Sequence, residues 1–246
     1  MKIFQTFMSG HSHFKTVAAT KNANDAKKGK IFSKMARVIT IAVKEKGQDT
    51  TSNIQLKAAI EKAKEFNMPK ENIERAIKKG AGELVGENLE EVSFEGFGPG
   101  GISIVIEGIT DNKNRTLGEV KGILGQYGGK MAGEGSVKWM FKRRGSIVIN
   151  CGDKQKEELE LMAIEIGAQD TKKREQSLEI YTEPEDLERI KKALEEKGLK
   201  IESVSLDWVP DEEISITDKE RESIKKLFEA LDENDAIQNI YSNLKP

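Results

Sequence analysis

The sequence predicts a multi-domain α and α+β protein: an N-terminal three-helix bundle, an α/β domain, and a ferredoxin-like βαββαβ domain inserted into the α/β domain. Residues 1–82 carry apolar side chains at helical spacing. Residues 145–206 alternate strand and helix patterns in the βαββαβ order. Residues 210–246 add one helix and one short strand, which cannot bury themselves and should return to the α/β domain. The predicted domains are 1–82, then 83–142 plus 207–246, and 143–206 as the insertion.

The first predicted helix separates charged from apolar side chains. Its apolar stripe comprises Phe32, Met35, Ile39 and Val43. Its basic stripe comprises Lys27, Lys30, Lys34 and Arg37. At about 100° per residue the stripes lie roughly 150° apart, so the helix can pack on a core and present cations outward. A solvated lysine face gives the same spacing, and Ile31, Val38 and Ile41 fall on or near the basic side.

Two further helices complete the predicted bundle. Leu56, Ala59 and Ala63 mark the inner face of the second helix. The third helix should start near Pro69, which suits a first turn, and end at Gly80, which suits a helix terminus.

The α/β domain is predicted from three strand patterns and a helix that starts at Asn112 or Asn114. The strands cover 92–97, 101–109 and 137–141. Gly96 to Gly101, GFGPGG, separates the first two strands. A phosphate-binding loop leads from a strand into a helix, whereas a strand follows here, so we expect a tight turn.

The inserted domain is predicted from four strand and two helix patterns. The strands cover 145–149, 168–174, 177–182 and 200–206, and the helices cover 154–166 and 184–197. Trp139 and Trp208 flank this domain, and we expect both to be core anchors at the domain junction.

The net charge of −2 hides a strong asymmetry. Residues 1–80 carry a net charge of +10, and the remainder carries −12. A basic segment attached to an acidic remainder indicates one surface for a polyanion and others that avoid it.

Composition also indicates the compartment. The apolar runs are too short to span a membrane, and the start has no apolar signal segment, so we expect a cytoplasmic protein without a membrane partner. The single cysteine, Cys151, excludes an intramolecular disulfide. Met8 is an alternative start to Met1.

No residue set indicates catalysis, and we expect no enzyme activity, cofactor or metal. His11 and His13 are the only histidines, and they lack nearby cysteine or carboxylate partners for zinc. No Ser/Cys–His–acid set is present. A third group, Asp207, Asp211, Glu212 and Glu213, could bind a hard cation, but a solvated acidic loop is the better interpretation.

The segment TDNKNRT, Thr110 to Thr116, has two interpretations. It can form a capped helix start with Arg115 in a structural ion pair. Alternatively, Asn112, Asn114 and Arg115 can form a polar site for backbone phosphate or ribose.

The basic N-terminal region is the best candidate site, and nucleic acid is the expected partner. Its cations would neutralise phosphate, while Phe14, with His11 and His13, could stack on exposed bases. The candidate cations are Lys15, Lys21, Lys27, Lys28, Lys30, Lys34 and Arg37. Charge alone does not separate DNA from RNA.

Several motifs in order make the chain resemble the YebC family, which includes the mitochondrial translational activator of cytochrome c oxidase. They are GHS at Gly10–Ser12, KGKIFSK at Lys28–Lys34, NMPKENIERAIKKGAG at Asn67–Gly82, EGFGPGG at Glu95–Gly101, TDNKNRT at Thr110–Thr116, GSVKWMF at Gly135–Phe141, and the tail over Ala230–Asn243. Phe14 stands where members usually have Trp, and His13 where Lys or Arg is common.

The resemblance implies the same three domains and two alternative functions. Members are generally described as probable DNA-binding transcriptional regulators, which is our first expectation. Some members instead associate with ribosomes and relieve stalls, so the alternative is a translation factor that contacts ribosomal RNA.

Overall fold

A computed structural model of the chain describes residues 25–151, 156–174 and 176–245. For residues 25–27 it describes the backbone alone. Its described residues form seven α-helices and two four-stranded antiparallel sheets. The helices are α1 Asp25–Lys46, α2 Ile54–Glu65, α3 Lys70–Gly80, α4 Lys113–Gln126, α5 Lys156–Glu165, α6 Leu187–Glu196 and α7 Asp218–Asp232. The strands are β1 Glu90–Phe97, β2 Ser103–Thr110, β3 Lys130–Met131, β4 Phe141–Asn150, β5 Asp170–Lys173, β6 Ser177–Thr182, β7 Ile201–Pro210 and β8 Ile237–Ser242. The predicted multi-domain α and α+β fold class is confirmed.

Helices α1 to α3 form the N-terminal bundle. Ile39, Leu56 and Ala63 are fully buried in its core. The buried amide of Asn53 fixes the α1–α2 turn, because it accepts from the Leu56 N–H at 2.9 Å and donates to the Ala42 carbonyl at 2.7 Å. A Cβ at Gly80 would lie 2.6 Å from the carbonyl oxygen of Thr40, so a glycine is needed where α3 approaches α1.

The first sheet has the order β3-β1-β2-β8, and α4 and α7 contribute to its core. Strand β8 pairs antiparallel with β2, with Ile240 opposite Ile106. The end of the chain therefore returns to the first sheet, as predicted. GFGPGG forms the predicted tight connection, in which Gly100 and Gly101 have φ values of 72° and 76°. These left-handed values favour glycine.

The second sheet has the order β5-β6-β4-β7, and α5 and α6 pack on it. This gives the predicted βαββαβ arrangement. The predicted strand over 137–141 is wrong: a single 3₁₀ turn covers Lys138–Met140, and β4 begins only at Phe141. The N–H groups of Val137 and Lys138 bind the Glu95 carboxylate, so they are not available to a strand partner.

One carboxylate joins the two sheets. Glu107 on β2 accepts from the Trp208 indole N–H at 2.7 Å and from the Arg143 guanidinium at 3.2 Å. Trp208 is half-buried and packs with Phe141 and other side chains at this junction, as predicted. The same prediction is wrong for Trp139, whose side chain is 70% exposed. None of the described helices is long and apolar enough to cross a membrane.

Candidate nucleic-acid interface

Part of the predicted site lies outside the described residues. The N-terminal candidates there are His11, His13, Phe14, Lys15 and Lys21. Lys27 lies on α1, but its side chain is outside the described set. Lys28 is exposed.

The basic stripe of α1 contacts the α/β domain. Lys34 is only 3% exposed and pairs with Asp232 at 2.8 Å, and Lys30 pairs with Glu233. Arg37 donates to the carbonyl oxygen of Ile109 at 2.9 Å. The expected outward row is therefore not what the structure has, because these three cations face protein acceptors.

The same contact has an apolar part. Ile41 is buried against Leu89 and Ile109, and Val38 packs beside them. Helix α1 thus has two buried faces, one toward α2 and α3 and one toward the first sheet. This accounts for Val38 and Ile41 among the apolar residues that interrupt its basic stripe, whereas Ile31 packs against the bundle core.

TDNKNRT forms a capped helix start. The Asn112 side chain accepts from the Arg115 N–H at 3.0 Å, and Arg115 pairs with Asp111. The hydrogen bond from Arg115 holds the pKa of the Asp111 carboxyl below its ordinary value. Asn114 is exposed on the first turn of α4. The structural interpretation therefore describes the local contacts, and a nucleic-acid contact by the exposed side chains stays a prediction.

The fold brings TDNKNRT close to the α1 stripe. Arg37 also lowers the pKa of Asp111 by its charge. Asn234, just after α7, donates to Glu119 on α4 at 2.7 Å, and Glu119 lies 3.7 Å from Arg115. The start of α4, the end of α7 and the middle of α1 therefore meet at one junction, where cations and carboxylates are interleaved.

Other cations on the N-terminal bundle are open to solvent. They are exposed and make no salt bridge to any residue that the structure describes. They comprise Lys46, Lys57, Lys64, Arg75, Lys78 and Lys79. Our sequence reasoning missed them, although their spacing was available: Lys57 and Lys64 share one face of α2, and the last three share one face of α3.

The acidic group does not form a metal site. Asp207 is buried and accepts from Ser205, Asp211 pairs with Lys142, and Glu213 pairs with Lys172. Within the described ranges, no three His, Cys, Asp or Glu side chains converge on a point that could hold a metal ion. Burial raises the pKa of the Cys151 thiol, which argues against a nucleophile there.

Two family models match the chain. One describes the N-terminal domain of the TACO1/YebC protein and matches residues 12–83, and the other describes the TACO1/YebC second and third domain and matches residues 89–244. A probable transcriptional regulatory protein of Thermoanaerobacter pseudethanolicus is 45% identical over 239 residues, which cover 97% of each chain. Another, from Thermotoga maritima, is 44% identical over 240 residues, or 97% of this chain and 94% of that one.

A solved structure is also similar along most of its length. The crystal structure of a conserved hypothetical protein from Aquifex aeolicus superposes with a TM-score of 0.80 at 42% identity. The match covers 90% of this chain and 91% of the other. The similarity therefore extends over all three structural units.

Proposed function

The chain belongs to the TACO1/YebC family, and on this premise we propose that it is a cytoplasmic, non-enzymatic, DNA-binding transcriptional regulator. The names of its relatives from Thermoanaerobacter and Thermotoga, both probable transcriptional regulatory proteins, support a regulatory role. The net charge of +10 over residues 1–80 supports a polyanion as the partner.

The observation that carries this proposal is the set of solvent-exposed cations on α2 and α3 without salt-bridge partners among the described residues. Such cations can release counterions from a phosphate backbone without first losing an internal partner. Lys57 and Lys64 on α2 and Lys78 and Lys79 on α3 form the central contact. We expect the candidates that precede α1 in the sequence to add to this contact: Lys15, Lys21, His11, His13 and Phe14.

The basic stripe of α1 would bind nucleic acid only after a conformational change. Lys30, Lys34 and Arg37 reach phosphate only when the contact between α1 and the α/β domain opens, because protein acceptors hold them otherwise. Lys27 and Lys28 lie on the first turn of the same helix. The sugar–phosphate backbone of the nucleic acid would also be contacted from this junction, by Asn112, Asn114 and Arg115.

Duplex binding as a function of salt tests the proposal. We expect replacing Lys57, Lys64, Lys78 and Lys79 with Ala to weaken binding and to flatten the log–log salt slope by about 0.9 for each phosphate that is no longer neutralised. The matched control replaces with Ala four other lysines that are exposed and make no salt bridge to a described residue: Lys121, Lys197, Lys200 and Lys219. An unchanged slope in the first variant contradicts the proposed surface. Selective binding of promoter fragments over random duplex is expected of a transcriptional regulator.

The second candidate function is a ribosome-associated translation factor that contacts ribosomal RNA. The exposed indole of Trp139 favours it, because structured RNA presents unpaired bases that stack on aromatic side chains. Sedimentation with ribosomes at physiological salt separates the two functions. Co-sedimentation together with tighter binding to structured RNA than to duplex DNA supports the translation factor, and promoter-selective binding without co-sedimentation excludes it.

A further inference from the structure

Trp139 is the most exposed aromatic side chain in the part of the chain that carries the two sheets. It lies on the 3₁₀ turn Lys138–Met140, directly before β4, and 70% of its side chain is exposed. Exposed tryptophan is unusual, because a large indole stabilises a protein most when it is buried. The turn therefore displays a side chain that the fold itself does not use for its core.

A buried carboxylate holds this turn in place. Glu95 is 5% exposed and accepts hydrogen bonds from the N–H groups of Gly135, Val137 and Lys138 at 2.7, 2.6 and 2.9 Å. Burial raises the pKa of Glu95, but these hydrogen bonds outweigh burial and hold that pKa below its ordinary value. The backbone that carries Trp139 is thus fixed by an ionised anchor.

The indole ring is fixed as well. Its Nε1–H donates to the carbonyl oxygen of Ser136 at 3.0 Å. This bond satisfies the one polar group of the ring, while the residue as a whole stays 70% exposed. A ring held in advance loses little conformational entropy when a flat partner stacks on it.

Two cations lie near aromatic rings that pack against the same cluster as Met140, the residue after Trp139. The Lys138 ammonium lies 4.5 Å from the centroid of the Trp208 ring, and the Lys130 ammonium lies 5.4 Å from that of Phe97. Phe97 and Trp208 pack in one cluster with Met140, the residue after Trp139. Lys130 and Lys138 make no salt bridge with described residues, whereas the nearby Lys142 is paired with Asp211.

We propose that Trp139, with Lys138 and Lys130, forms a stacking site for an unpaired base of a single-stranded nucleic acid. The base stacks on the exposed indole, and the ammonium groups of Lys138 and Lys130 bind the adjoining phosphates. Aromatic rings interleaved with cations are typical of single-strand binding, because every base has a π face and every nucleotide a phosphate. An apolar protein partner would not need the cations. The inference rests on the proposed nucleic-acid function and adds a second site far along the chain from the N-terminal one.

The test measures binding of an oligouridine, an oligodeoxythymidine of the same length, and a duplex. We expect Trp139→Ala to weaken single-strand binding by about 5- to 140-fold and to leave duplex binding unchanged. Trp139→Phe keeps a stacking ring and should retain most of the affinity. Leu161→Ala, which truncates another exposed apolar side chain on α5, is the matched control and should change neither. The first two probes separate RNA from DNA as the source of the base.

The outcomes also separate this inference from the proposed function. Unchanged single-strand binding in Trp139→Ala, with duplex binding still sensitive to the α2 and α3 lysines, overturns the stacking site alone. If the unaltered protein binds none of the three probes, both the stacking site and the proposed function are overturned. If Trp139→Ala abolishes binding to ribosomes but leaves binding to the oligonucleotides and to isolated ribosomal RNA unchanged, the turn docks on protein and the stacking site is wrong. Quenching of indole fluorescence by oligouridine, lost in Trp139→Ala, supports it.

Discussion

The ammonium group of Lys34 donates to both the carboxylate and the main-chain carbonyl of Asp232, each at 2.8 Å. Asp232 is the last residue of α7, where the helix dipole adds negative partial charge. The side chains are 3% and 21% exposed, so the pair lies largely inside the protein. A cation that the sequence assigned to phosphate thus has an internal anion in the described conformation.

We expect Asp232→Ala to lower the free energy of unfolding by about 3 kcal/mol, because it leaves the buried ammonium of Lys34 without its carboxylate. Urea denaturation measures this, and Asp232→Ala in a Lys34→Met background should cost much less. The exposed pair Lys70–Glu74 supplies the control, since Lys70→Ala removes a solvated ion pair and should change stability little. Equal losses in both backgrounds contradict a buried pair.

The double variant Asp232→Asn, Glu233→Gln tests whether the α1 stripe can reach phosphate. Removing both carboxylates should weaken the contact between α1 and the α/β domain, so that it opens in a larger fraction of molecules. Lys30 and Lys34 then reach phosphate more often, which should strengthen duplex binding and steepen the salt slope by up to about 0.9 for each cation that reaches a phosphate. Fluorescence anisotropy over a salt series measures this. The control is Asp218→Asn, at the opposite end of α7. Unchanged affinity would leave the stripe as an interdomain contact only.

Helix α1 illustrates what periodicity determines and what it misses. The 3.6-residue period correctly identified the face that packs on α2 and α3. Met35, Ile39 and Val43 are buried on that face. It could not identify the partner of the opposite face, because that partner is the α/β domain, distant in sequence. Ile41 was the residue in the sequence that indicated this second contact. An apolar residue on a basic helix face is expected where that face also packs against protein, as Ile41 does against Leu89 and Ile109.

The segment before β4 illustrates a second limit. Val137 to Phe141 is rich in large apolar side chains and was predicted to be a strand. The Glu95 carboxylate, 40 or more residues earlier, instead accepts hydrogen bonds from the N–H groups that a strand would need. The strand prediction, which used only the local sequence, was therefore wrong where a distant side chain accepts the backbone N–H hydrogen bonds. Trp139, which was predicted to be a core residue, lies on the turn that follows these hydrogen bonds and is exposed.

The junction of the two sheets depends on Glu107. We expect Glu107→Ala to lower the unfolding free energy by about 2 kcal/mol, because the Trp208 indole N–H and the Arg143 guanidinium lose their common acceptor. Glu107→Gln keeps an acceptor oxygen for Trp208 and should cost less. Hydrogen exchange should show faster exchange in β2 and β7 in the Ala variant. An unchanged exchange pattern would show that apolar packing alone holds the junction.

The turn that carries Trp139 should be sensitive to acid. The pKa of Glu95 is lowered from 4.5 in the folded chain, so its contribution is fully present above 4.5 and is lost as the pH falls through the folded-state pKa. Glu95→Gln replaces one acceptor oxygen with an N–H donor that faces backbone N–H groups. We therefore expect the free energy of unfolding at pH 7 to fall by about 3 kcal/mol. The difference in unfolding free energy between Glu95→Gln and the unaltered protein should narrow as the pH falls below 4.5. Protonated Glu95, like Gln, then places a hydrogen-bond donor against the backbone N–H groups. Glu134→Gln, at an exposed residue before the turn, is the control. A stability difference between Glu95→Gln and the unaltered protein that does not change with pH would contradict an ionised anchor.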